Sequence, residues 1–310
     1  MLLYQAKFAF LKGQIKRSKE LCDLASERFA EVGDQLGLGS CFLLYGQLHA
    51  LEFAANEAKR DARSVIEITK DVSREAHPFV ADNLLGTAYE TLGYAYTQEE
   101  KYEKATLAFK RAIRYFKEVG NRLGVELAHM RLGDIARYQG SHDAAERFFL
   151  DARDRIGEVD HGIGALPSIS LALMMLETDR ADEAKALLEQ QLANLERLGY
   201  TLYSLIIHLA LATCYAIELD ETSWRKHFET SKELLEESGQ ISRDIAVLLE
   251  QMAEALCQER PLLALECYPL AIEYLEKTGG DEGALHKLRF RQELTTDRLP
   301  REEREKWSRK

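Results

Sequence analysis

Proline is nearly missing from this sequence, at 5 residues in 310. So little of the residue that breaks helices, beside 30% charged residues and abundant Ala, Leu, Glu and Lys, reads as helix throughout. Strand patterning is also missing. β-branched residues are sparse, and no run alternates apolar and polar side chains for long, which excludes sheet-based folds. Hydrophobic residues make up 46%, enough for a substantial core, so disorder is excluded as a global description. The five cysteines, Cys22, Cys41, Cys214, Cys257 and Cys267, are odd in number, scattered, and never spaced as CxxC. That argues against a disulfide framework or zinc site and for reduced core thiols in a cytoplasmic protein.

Basic charge is in deficit, with 41 Lys+Arg against 52 Asp+Glu and a net charge of -11. Such a surface repels phosphate backbones and anionic lipid, so neither nucleic acid nor membrane is expected as a partner. The one basic stretch, KLRFRQ at 287–292, covers a single helix face, whereas nucleic-acid binding needs a larger footprint. The start, MLLYQAKFAFLKGQ, shows no basic leader and no small-residue cleavage site. Residues 198–217 run 20 positions without Lys, Arg, Asp or Glu, long enough to cross a bilayer. Gly199, Thr201, Ser204, His208 and Thr213 interrupt that run, and it falls in phase with the repeat below. A buried helix is the better reading.

Catalytic signatures are missing as well. There is no HExxH, GxxxxGK[ST], GxSxG or full GxGxxG, and Gly33, Gly37 and Gly39 follow no strand that would make them a phosphate loop. The eight histidines are dispersed with no i, i+4 ligand pair, and carboxylate pairs such as Glu99-Glu100 sit where solvated charges belong. No constellation converges as an active site requires. The sequence predicts no enzyme, no metal and no cofactor.

What the sequence does have is internal repetition. EVGDQLG at 31–37 returns as EVGNRLG at 118–124, 87 positions later. Residues 86–124 read as a helix to about Gln98, a polar turn, and a second helix from about Tyr102 to Val119. Within them Leu92, Gly93, Tyr96, Ala105, Phe109 and Ala112 recur in the next unit as Leu132, Gly133, Ala136, Ala145, Phe149 and Ala152. The small residue of the first helix falls at Ala6, Gly46, Gly93, Gly133, Ala172 and Ala212, with Met252 last, at steps of 40, 47, 40, 39, 40 and 40. Seven helix pairs result. Ala58, Ala105, Ala145, Ala184 and Ala264 open the second helix, with Ser18 and Trp224 in that place in pairs one and six. Small residues belong where two helices cross closely, and Tyr96 and Phe109 are expected between one pair and the next.

These positions resemble the tetratricopeptide repeat (TPR) family: Leu-Gly, an aromatic three residues on, then Ala, an aromatic and Ala. Its ordinary repeats have about 34 residues, whereas these are near 40, similar to the longer class in bacterial signalling and transcription regulators and in peptide-binding scaffolds. The expected fold is all-α, a right-handed solenoid of about seven pairs over residues 1–280, with a capping helix at 281–299 and a charged tail at 300–310. The chain begins inside a helix, so the first pair is expected to be truncated and an effector domain to lie upstream. In pair two, the seven extra residues fit either partly in the turn around 54–60 and partly beside His77-Pro78, or elsewhere if Ala58 is aligned. At Trp224 two readings stand: a splayed pair, or a one-residue slip that puts Ser223 at the crossing.

The resemblance implies a binding role for the concave face lined by the first helices. It points to a non-catalytic sensor or scaffold that binds a protein or peptide such as an amphipathic helix. The alternative is small-ligand sensing for a transcription activator, kinase or ATPase. The implied partner residues are Gln47, Glu90, Tyr94, Arg131, Asp134 and Arg137. Met130, Leu209, Thr213, Leu249 and Glu250 are expected on the same face, giving a polar centre and an apolar C-terminal half.

Overall fold

A computed structural model of the chain describes residues 1–71, 78–156, 162–198 and 202–307. Among the described residues there are helices and turns and no strand. The helices run in antiparallel pairs: α1 (Leu2–Leu11) with α2 (Ile15–Glu31), α3 (Gln35–Leu51) with α4 (Ala55–Asp71), and α5 (Pro78–Gln98) with α6 (Tyr102–Glu118). Then come α7 (Arg122–Tyr138) with α8 (His142–Ile156), α9 (Leu166–Glu177) with α10 (Ala181–Leu198), and α11 (Ser204–Ile217) with α12 (Glu221–Ser238). The last pair is α13 (Arg243–Leu256) with α14 (Pro261–Lys277). Each pair packs on the next, and α15 (Glu282–Asp297) lies against α14, followed by the short α16 (Arg301–Trp307). This is a helical solenoid, because one pair alone cannot bury its apolar stripe.

The repeated heptapeptide is the joint between pairs. Gly33 and Gly120 stand at φ +70 and +68, the left-handed step that ends a helix and that glycine takes without strain. Asp34 and Asn121 then cap the next helix, their side-chain oxygens accepting from the Gly37 and Gly124 amides at 2.8 and 2.9 Å. The second glycine makes room for an aromatic ring. A Cβ on Gly124 would lie 2.8 Å from Phe116, and one on Gly37 would strike Phe29.

A second left-handed step, invisible to the motif, turns the chain inside each of the first six pairs. It falls at Gly13, Phe53, Glu100, Gly140, Asp179 and Leu219, in step with the repeat. Four of these are not glycine, so the helix–turn–helix geometry overrides local preference there.

At the crossings the expected register holds. Ser18, Ala58, Ala105, Ala145, Ala184, Trp224 and Ala264 are each the fourth residue of their helix. The one-residue slip at Trp224 is therefore wrong. The indole itself occupies the place of alanine, fully buried and stacked on Phe228 at 4.8 Å. Ser18 donates to the Ala6 carbonyl at 2.9 Å. Phe109 lies over Gly93, where a Cβ would come within 2.6 Å, and also meets Ile135 of the next pair. The turn between α3 and α4 spans residues 52–54, no longer than the 99–101 turn of pair three. The extra residues of pair two thus enter between α4 and α5, partly as a longer α5 and partly in 72–77, which lie outside the described residues. Within the apolar stretch, Ser204–Ile217 form α11, buried on both faces in the core. No described helix is long and apolar enough to cross a membrane.

Candidate functional site

The first helices of the pairs line the inside of the solenoid, which holds a half-open cavity of about 790 Å³. Gln47 on α3, Glu90 and Tyr94 on α5, and Arg131 on α7 face this space together, and with them Leu43, Leu44, Thr91, Ile169, Ser170 and Leu173 from the expected face. The other wall was not expected. It is built from the segments that follow α10 and α12, through Leu202, Tyr203, Ile241, Asp244 and Ile245.

Those segments fasten pairs one to four against pairs five to seven. The Leu202 amide donates to the last carbonyl of α1, Leu11, at 3.2 Å, and the Ile241 amide to the last carbonyl of α3, Leu51, at 2.8 Å. Both satisfy helix-end carbonyls that otherwise lack a partner. Gln240 Nε2 donates to the Leu202 carbonyl at 3.1 Å, tying the two segments together. Arg243 reaches back to Glu100 at 2.9 Å and to the Tyr102 hydroxyl at 3.0 Å.

Arg137 is the centre of this closure. It is 3% exposed and donates to Glu177 and Asp244 at 2.6 Å each, while the Tyr138 hydroxyl donates to Asp244 at 3.2 Å. Burial pushes the Tyr138 phenol up, and the nearby Asp244 charge adds to that. Asp134 pairs with Arg131 at 3.1 Å one turn along α7, and burial raises its carboxyl against the pull of Arg131 and Arg137. Neither Asp134 nor Arg137 is among the residues lining the cavity.

The polar corner that does face the cavity has its own geometry. The Arg131 guanidinium lies 5.2 Å over the Tyr94 ring, a cation–π contact that holds it flat against the wall. Burial raises the Glu90 carboxyl, and Arg131 only partly offsets this. No described group hydrogen-bonds that carboxylate. Burial likewise pushes the Tyr203 phenol up to about 12.

Several residues expected on the groove face are elsewhere. Met130, Leu209, Thr213 and Leu249 are buried in the core, with Thr213 donating to the Leu209 carbonyl at 3.0 Å. Glu250 faces α15, near Lys287 and Arg291. α11 packs directly on α13, so Leu209, Thr213 and Leu249 are buried in the core, while α9 keeps Ile169, Ser170 and Leu173 on the cavity. Among the described residues no group of three or more His, Cys, Asp or Glu could hold a metal ion.

The architecture defines a class, the TPR-like helical repeat solenoid, here curved around a half-open cavity. No family model matches the sequence, and no curated protein matches it. Solved structures do match in fold. The apo form of RapI is similar at 12% identity and TM-score 0.60, over 89% of this chain and 97% of that one. A Rap protein complexed with competence and sporulation factor is similar at 14% identity and TM-score 0.70, over 90% of this chain and 75% of that one. BtubC (BKLC) from P. vanneervenii is similar at 17% identity and TM-score 0.50, over 72% of this chain and 90% of that one. At these identities the likeness shows the fold.

Proposed function

We propose that the chain is a non-catalytic interaction module of the long-repeat TPR class, the sensor or scaffold part of a cytoplasmic signalling or regulatory protein. Its interior cavity takes a short peptide segment with apolar side chains and one positively charged group. The half-open cavity, mainly apolar with Gln47, Glu90, Tyr94 and Arg131 grouped on one side, carries this reading, since such sites use few polar groups to orient an otherwise apolar ligand. On the cavity wall Asp244 is already matched by Arg137, whereas no described group hydrogen-bonds the Glu90 carboxylate, so a cation is the complementary charge at that corner. Gln47, Glu90, Tyr94 and Arg131 are the contact residues in this proposal, with Asp134 orienting Arg131 and Arg137 holding the wall. A volume of about 790 Å³ would hold roughly two turns of a helix 10–12 Å wide at most, which favours an extended segment over an amphipathic helix.

The Rap protein complexed with competence and sporulation factor supports a binding role for a solenoid of this shape. Within the same proposal, residues 1–280 are the solenoid, 281–299 its cap and 300–310 a charged tail. A second reading, a small-ligand sensor, is favoured by the cavity's volume of about 790 Å³, because about 300–1,000 Å³ is the usual size of small-molecule sites.

A thermal-shift screen of short peptides against metabolites tests the order. The expected result is a raised melting temperature with apolar peptides carrying Lys or Arg, abolished by Glu90→Lys. A metabolite that alone raises it would put the second reading first.

A further inference from the structure

Surface cations in this acidic chain are mostly matched. The basic stretch of α15 is an instance: Lys287 lies 3.8 Å from Glu250, Arg289 2.5 Å from Glu276, and Arg291 beside Glu250 and Glu254. The outer face of α6 instead gathers several unmatched cations on one helix. Its sequence YEKATLAFKRAIRYFKE holds five cations against two carboxylates. Lys104, Lys110 and Lys117 are exposed and have no ion pair among the described residues, and Arg114 has only Glu118 at 3.9 Å. Leu107 sits in the middle of this face, 54% exposed, with cations three residues before it and three, four and seven after it. Those spacings put all of them on one side of the helix.

Two of the cations are held in place. Tyr89 and Tyr115 stack at 5.6 Å with their planes 5° apart, with Arg111 5.4 Å over the first ring and Arg114 4.9 Å over the second. Such stacking fixes guanidinium groups at little further entropy cost on binding. No residue of α6 lines the interior cavity. This face is therefore separate from the proposed peptide site.

We propose that the outer face of α6 is a docking surface for an acidic amphipathic helix of a partner protein. An apolar side chain of that helix covers Leu107, and its carboxylates meet Lys110, Arg111 and Arg114. Charge complementarity selects the occupant: the chain as a whole, at net -11, repels acidic partners and steers them to this basic face. A nucleic acid fits less well, because the patch is one helix long and has an exposed leucine at its centre.

The probe is a fluorescently labelled amphipathic helix of about five turns, built from Glu, Ala and one Leu stripe, measured by anisotropy. A scrambled peptide, single-stranded DNA and phosphatidylserine vesicles serve as the comparison probes. The striped helix should bind best, and added salt should weaken it. Lys110→Glu with Arg111→Glu should weaken binding by about tenfold or more, and Leu107→Ser by about threefold or more, with circular dichroism unchanged. Glu90→Lys should leave it intact, so failure here is distinct from failure of the cavity reading. Equal affinity for the scrambled peptide or in the charge-reversed variant, or tighter binding of DNA or vesicles, overturns the proposal. So does self-association that the charge reversal abolishes, which would make a second copy the occupant.

Discussion

Leu219 and Gly140 occupy the same place in the repeat, with φ of +58 and +74, yet one carries a side chain that this conformation disfavours by about 1–2 kcal/mol. Gly140→Ala should therefore destabilise by about 1 kcal/mol, although nothing lies within 4 Å of the added carbon. Leu219→Gly should be neutral to stabilising by up to about 1 kcal/mol, and urea unfolding of both variants checks the pair. A second residue-scale case is the buried contact between His208 and His227, whose Nδ1 atoms are 2.9 Å apart. One ring donates and the other accepts, which requires both to be neutral or only one charged. Burial first, then His227 and Lys226, pull His208 down to about 4; burial also lowers His227, with Glu189 opposing. Above the unfolded value of about 6.5 the pair contributes fully. As pH falls from there toward 4 the unfolded chain takes up protons that the folded pair refuses, and stability drops by up to about 3 kcal/mol. His208→Gln should flatten that limb of the stability–pH curve, and an unchanged slope would contradict it.

At the scale of helices, the pair is held by what fits at the crossing. A Cβ at Gly133 would come within 2.7 Å of Phe149 and 2.8 Å of Phe148, so Gly133→Val should cost about 1–3 kcal/mol by overpacking. Trp224 reverses the arrangement, with a large ring where the other pairs have a small residue. Trp224→Ala, which makes pair six look like its neighbours, should still destabilise by about 3–5 kcal/mol, because the surroundings have formed around the indole. Calorimetry of the two variants reads both effects. The sequence placed six of the seven crossings in register, since a step of about 40 residues and helical spacing are local properties. It left the Trp224 register open because Ser223 beside it would also have fitted.

For the molecule as a whole, the contacts between early and late pairs matter most. A solenoid in which each pair touches only its neighbours unfolds as a sum of near-independent units. Here Arg137 joins α7 to both α9 and α13, and the Leu202 and Ile241 amides join late segments to α1 and α3. Arg137→Ala should cost about 3 kcal/mol, as removing one partner strands two carboxylates. It should also lower the urea m-value as the transition loses cooperativity. Small-angle scattering of the same variant should show a larger radius of gyration. Retained m-value and radius would mean that the closure does not depend on this residue.

The sequence by itself determined the helices, the pairing, the joints at Gly33 and Gly120, and Gln47, Glu90, Tyr94 and Arg131 as inward-facing. Each follows from spacing within one or two repeats. Only the tertiary structure decided that Leu202, Tyr203, Ile241 and Asp244 complete the cavity, that Arg137 is buried in the wall, and that Leu209, Thr213 and Leu249 belong to the core. The rotation from each pair to the next is small and set by many side chains at once. Its sum over four or five pairs fixes which distant residues meet, and no local spacing carries that sum.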